Sequence, residues 1–157
     1  MARAIDWIDR ALRVIAALCL LALTALVAFQ VVARYAVGQV PLFAEEIARY
    51  AMVWMALMAA AVGVRDAAHI RVEFVPQALR HVSRPLGRAL DYLLDTLSLG
   101  VFLVLAWYGL DTMLFLATQT SEGMRIPLSL PYAALPLSFL CAALFAAARL
   151  ITGESGK

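Results

Sequence analysis

From Val14 to Ala33 the chain runs for twenty residues without a charged side chain. An α-helix rises about 1.5 Å per residue, so this run covers about 30 Å, the thickness of a bilayer's hydrocarbon core. Backbone polar groups find no water at that depth, and a helix satisfies them within the segment. Three further apolar segments qualify, the first two of them with charge-free parts of fifteen residues. A second helix is predicted from about Glu45 to Val64, with its charge-free part at Tyr50–Val64. A third centres on Thr96–Leu110 and continues past Asp111 to about Thr118. The fourth lies within Ile126–Ala148. Composition agrees: 15% of residues are charged, against roughly a quarter in soluble domains. The expected fold class is an all-α membrane protein with four transmembrane helices, over about 14–35, 45–64, 86–118 and 131–150, in a single domain spanning 1–157.

A secretory signal has an apolar region of about 7–15 residues ending at a small-x-small site. The first run is longer and ends in Arg34-Tyr35, so it reads as a retained helix. Lysine and arginine collect on the cytoplasmic side of membrane proteins. Arg3, Arg10 and Arg13 precede the first span. Arg65, Arg71, Arg80, Arg84 and Arg88 lie between the second and third, and Arg149 and Lys157 follow the fourth. The opposite side holds Arg34, Arg49 and Arg125. Both termini and the loop 65–84 are therefore expected in the cytoplasm.

The flanks carry amphipathic pattern. Ile5, Ile8, Leu12 and Ile15 share one helical face, and Arg3, Asp6, Arg10 and Arg13 share another. With Trp7 at the interface, the first helix is expected to begin before the membrane and lie partly on its surface. "HIRVEFVP" alternates as a strand does, but a lone strand has no partner there, so an extended or interfacial segment is expected. Pro76 then opens a short interfacial helix, with Leu79, Val82 and Leu86 toward lipid and Arg80 and Arg84 toward phosphate. Arg84, Arg88, Asp91 and Asp95 fall on one stripe of the third helix. That stripe is expected to be a solvated, self-paired face.

No catalytic constellation is legible. The two histidines, His69 and His81, both sit in the loop, away from the membrane depth that a bis-histidine haem needs. No acid or cysteine cluster at ligand spacing joins them, so no metal is expected. Cys19 and Cys141 stand alone in apolar runs and read as small buried side chains. There is no glycine-rich phosphate loop, and no serine lies near a base. A net charge of +2 without a compact basic and aromatic patch gives no reason to expect nucleic acid. Catalytic residues, cofactors and metals are all expected to be absent.

Carriers mark their path with ionisable groups deep in the membrane or with helices broken at midplane. Here the first span has no acid, and the second has none between Tyr50 and Val64. Asp111 is the one carboxylate well inside a span, near the outer end of the third. Coupling to an ion is one use for it. Pairing with Arg34, Arg49, a polar group at that surface or a partner protein is the other. Pro136 is expected to kink the fourth helix, with Pro127 and Pro131 shaping its start. Charges at the rims favour a partner subunit over an independent carrier.

The start of the second helix, "PLFAEEIARYAMVW", concentrates those rim charges. Glu45 and Arg49 are four apart and can pair along the helix. Both glutamates sit where the helix dipole favours negative charge. Consecutive residues point about 100° apart, so Glu45 and Glu46 serve different faces, one toward a neighbouring helix and the other toward a partner. Further on, Ala56 and Ala60, and Ala59 and Gly63, have the small-x-x-x-small spacing that lets helices approach in lipid. An alanine-rich composition also produces it. Trp54 and the set Met52, Met55 and Met58 read as packing.

The run "EEIARYAMVWMALMAAAVGVRDAAHIRVEFVP" resembles the small permease subunit of TRAP (tripartite ATP-independent periplasmic) transporters, the DctQ-type family. The resemblance rests on the acidic pair Glu45 and Glu46, then Arg49, Trp54, Gly63, Arg65 and the His69-Ile70-Arg71-Val72 run. Pro127, Pro131 and Pro136 before and within the fourth span are similar too. The resemblance implies a noncatalytic subunit of the bacterial inner membrane. It would brace a large DctM-type permease that carries the substrate and ion sites. A periplasmic DctP-type binding protein would deliver an organic acid for ion-gradient-driven uptake. Glu45, Glu46, Arg49, Trp54, Gly63, Arg65, His69 and Asp111 become candidates for partner or interhelix contacts, with membrane lipids around them. Two alternatives stay open: an independent proton-coupled exporter using Asp111, and a haem- or quinone-holding anchor.

Overall fold

The computed structural model describes residues 2–66 and 84–152. Helix α1 runs over Ala2–Val37 and α2 over Leu42–Asp66. Helix α3 covers Arg84–Phe115 and tightens into a 3-10 turn at Leu116–Thr118. A one-turn helix α4, Ser129–Tyr132, leads into α5, Ala134–Thr152. Four helical segments are long and apolar enough to cross a membrane, namely Ile5–Ala36, Leu42–Asp66, Tyr92–Thr118 and Ser129–Ile151. The chain is a multi-pass helical membrane protein. Among the described residues there is no strand, only an isolated antiparallel bridge between Thr120 and Pro127.

Helix α1 continues the amphipathic N-terminal segment into the transmembrane run without a break. Its 36 residues reach about 54 Å, well beyond the hydrocarbon core. It stops at Gly38, where φ is +75° and the N–H donates to the Arg34 carbonyl at 3.1 Å. A left-handed residue just past the last turn is the usual helix stop, and glycine takes it without strain. The break between α4 and α5 has a different cause. Pro136 has no N–H for the Tyr132 carbonyl four residues earlier, so the α-helical ladder cannot run through this point. Ala133 bridges the gap by donating to Ser129 and Leu130 at 2.9 and 3.3 Å.

The helices pack in the lateral order α1, α2, α5, α3. The two ends of this row, α1 and α3, share no packed face among the described residues, so the assembly is an open row and not a closed ring. The main core lies where α1, α2 and α5 meet, with Leu12, Met58, Ala61, Val62, Ala142 and Phe145 buried together. Most other large apolar side chains point outward, among them Leu18, Leu21, Val32, Leu97 and Leu144. In lipid that exposure carries little cost, and close van der Waals fit becomes the main packing force between helices.

A close fit joins α3 to α5. Gly109 is buried against α5, where a Cβ would stand 3.2 Å from Leu135 Cβ and 3.2 Å from the Pro136 nitrogen. The Pro136 backbone cannot swing aside as a side chain can. Gly109→Val is therefore expected to force the helices apart and cost about 1–3 kcal/mol. Gly100→Val, on the same helix but with nothing within 4 Å of its Cβ, is the control. Thermal unfolding of the isolated chain in detergent should fall for the first and hold for the second. The small-residue pairs of α2 play no such part among the described residues. Ala56, Ala59, Ala60 and Gly63 are exposed, and a Cβ on Gly63 would meet nothing within 4 Å.

The connection 67–83, with His69, His81, the alternating segment and the expected interfacial helix, lies outside the described residues.

Candidate functional site: the two charged rims

At one rim, Glu46 closes a turn onto the start of α2. One oxygen accepts a hydrogen bond from the Gly123 N–H at 2.9 Å. The other accepts from the Met124 N–H at 3.1 Å and from the Ser121 hydroxyl. The turn is also stitched to itself. Ser121 N–H donates to the Ile126 carbonyl at 2.9 Å, Arg125 N–H to the Ser121 carbonyl at 3.1 Å, and Leu128 N–H to the Gln119 carbonyl at 2.9 Å. Arg125 takes a positive φ of 53° to complete the reversal. Gly123 is needed for the approach itself, because a Cβ there would come within 3.1 Å of the Glu46 carboxyl and 3.3 Å of the Leu42 backbone. From the other side, the Gln30 side chain of α1 donates to the Ala44 carbonyl at 2.9 Å. The turn 119–128 and helix α1 thus converge on the first turns of α2.

At the opposite rim the charges are paired across helices. Arg13 of α1 bonds Asp9 at 3.0 Å and Asp66 of α2 at 2.8 Å. Arg65 of α2 returns the contact to α1 through Asp6 and through Asp9 at 2.9 Å. Its guanidinium also lies over the Phe145 ring of α5, 5.9 Å from the centroid. Farther along the row, Arg149 of α5 pairs with Asp95 of α3. It also donates to the Val64 carbonyl at 3.3 Å. Val64 lies in the last turn of α2, where carbonyls lack an intrahelical donor, so one guanidinium joins α2, α3 and α5.

Asp95 corrects an expectation. Its stripe was expected to face solvent, yet Asp95 is fully buried. Helical spacing groups the residues of a stripe but does not say what packs over them; here α5 does. The side chains of Arg84, Arg88 and Asp91 lie outside the described set.

Residues 23–155 match the family described as tripartite ATP-independent periplasmic transporters, DctQ component. The chain belongs to this family. A relative from Oleidesulfovibrio alaskensis, named isethionate TRAP transporter permease protein DctMQ, is 26% identical over 133 residues. That alignment covers 76% of this chain and 20% of the relative, so the chain spans about a fifth of the relative's length.

In this DctQ-family chain the residues singled out from sequence fall into separate places. Glu46 holds the turn at 121–124, and Arg65 joins α1 to α2. Trp54 is half-buried beside the core. Glu45 and Arg49 are both exposed and form no ion pair with each other. Gly63 is exposed. Asp111 is exposed on α3 and pairs with neither Arg34 nor Arg49. His69 lies outside the described residues. Sequence reasoning missed Ser121, Gly123 and Met124 as partners of Glu46, and the pairs formed by Asp9, Asp95 and Arg149. Asp95 and Arg149 are 54 positions apart, and no local spacing rule joins them.

Proposed function

We propose that the chain is the small, noncatalytic membrane subunit of a TRAP-type secondary transporter in a bacterial inner membrane. It braces a large DctM-type permease during ion-gradient-driven uptake of an organic acid. A periplasmic DctP-type binding protein delivers that acid. Family membership carries this reading. The open row supports it, because four helices that leave most of their apolar surface outward make a poor enclosure for a solute and a good lateral wall for a larger partner. The charges support it as well, since those of Arg13, Arg65 and Arg149 are spent on joining helices at one rim. The name of the relative pairs a permease with isethionate, a sulfonate, which fits an anionic organic substrate. With both termini cytoplasmic, as the arginine distribution indicates, the Glu46 turn faces the periplasm and the binding protein.

Asp111 as the proton site of an independent exporter is not favoured. The family is a transporter component, and Asp111 points away from the chain's own helices.

The test is co-expression of the tagged chain with the large permease of its own system. Copurification from detergent or nanodiscs, with substrate uptake in liposomes only when both are present, is the expected result. Transport by the small chain alone, or no association, would overturn the proposal.

A further inference from the structure

Asp111 is an exposed carboxylate inside the span Tyr92–Thr118. Its helical neighbours three and four positions away are Trp107, Tyr108, Leu114 and Phe115, with exposures of 72%, 65%, 60% and 73%. A carboxylate among large apolar side chains at membrane depth is costly, and such groups are nearly always paired. Among the described residues no cation pairs with it. Trp and Tyr facing lipid at an interfacial belt are ordinary, but that belt has no use for a carboxylate. A charge ringed by large side chains that exclude water has the anatomy of an interface hot spot.

Position in the row adds to this. Helix α3 stands at one edge and, among the described residues, packs against α5 and no other long helix. Below Asp111 its outward face continues as an apolar groove along Leu93, Leu97, Gly100 and Val104. The other edge differs: the outward face of α1 from Val14 to Ala33 carries no charge and suits lipid.

We propose that the outward face of α3, from Leu93 to Phe115, is the seam on which the large permease packs. Asp111 there receives a cationic side chain of that permease. This rests on the reading of the chain as a TRAP small subunit. An arginine fits best, because its planar guanidinium can bond the carboxylate and stack on Trp107 or Tyr108 at once.

The experiment co-expresses the full chain with the large permease and compares Asp111→Arg and Asp111→Asn with the unaltered chain. In parallel, a photocrosslinking residue replaces Val104 or Leu114 on α3, or Leu21 on α1, with Asp111 kept. Each variant is first shown to be monodisperse by itself. Asp111→Arg is expected to cut the permease copurified by about tenfold or more, with Asp111→Asn between it and wild type. Crosslinks to the permease should form from α3 and not from Leu21. Undiminished copurification with Asp111→Arg would overturn the seam alone, as would α3 crosslinks to a second copy of the chain or only to lipid. Failure of the unaltered chain to retain the permease would overturn the subunit reading, and the seam with it.

Discussion

Asp95→Asn is expected to destabilise the chain by about 3–5 kcal/mol, the usual cost of removing one partner from a buried ion pair. The carboxylate is fully buried and faces Arg149. Asparagine keeps the shape but not the charge, and the guanidinium then remains at a dry junction against an amide. Because Arg149 also holds the Val64 carbonyl, the loss should be felt in α2 as well as between α3 and α5. Arg149→Gln should cost a similar amount, and the two changes together clearly less than their sum. Unfolding of the isolated chain in mixed micelles, followed by tryptophan fluorescence, measures all three. Single variants that unfold like an exposed substitution would show that the junction does not hold the row together.

Glu46→Ala should release the turn 119–128 while leaving the helices in place. The substitution removes the acceptor for the Gly123 and Met124 N–H groups and for the Ser121 hydroxyl at once. Three donors that converge on one carboxylate cannot be replaced by a single water. Ser121→Ala removes one of the three and should have a smaller effect. Gly123→Val should resemble Glu46→Ala, since its side chain would occupy the carboxylate's place. The readout is limited trypsin digestion, with cleavage after Arg125 rising several-fold in Glu46→Ala and less in Ser121→Ala. Unchanged cleavage would mean that the hydrogen bonds within the turn suffice without α2. If the turn forms part of a docking surface, Glu46→Ala should also weaken uptake more than Glu45→Ala, whose side chain makes no ion pair among the described residues.

Both predictions concern contacts that local pattern could not reveal, and the reasons differ. Glu46 was legible as a residue with a task, because its neighbour Glu45 and the dipole left its own direction unexplained. Its partner was not legible, since the acceptors and donors meet through a turn whose reversal depends on Arg125 at positive φ. Asp95 misled for the opposite reason. Helical spacing grouped it with Arg84, Arg88 and Asp91, and charge then suggested water. Burial of Asp95 depends on α5 lying over it. Asp111 was recognised as anomalous from its depth, but whether it turned inward or outward was a question of helix rotation.

The sequence by itself determined the four spans, because a predominantly apolar segment long enough to cross a bilayer satisfies its backbone there as a helix. It also determined the interruption near Pro136, where a backbone donor is missing, and it pointed to the DctQ family. Only the tertiary structure decided that the helices form an open row, which of the α2 and α3 small residues touch a neighbour, and which charges meet. Hydropathy reports depth along the membrane normal and is silent about rotation and lateral order. Those follow from the fit of side chains such as Gly109 against Pro136, and from ion pairs that only the assembled helices bring together.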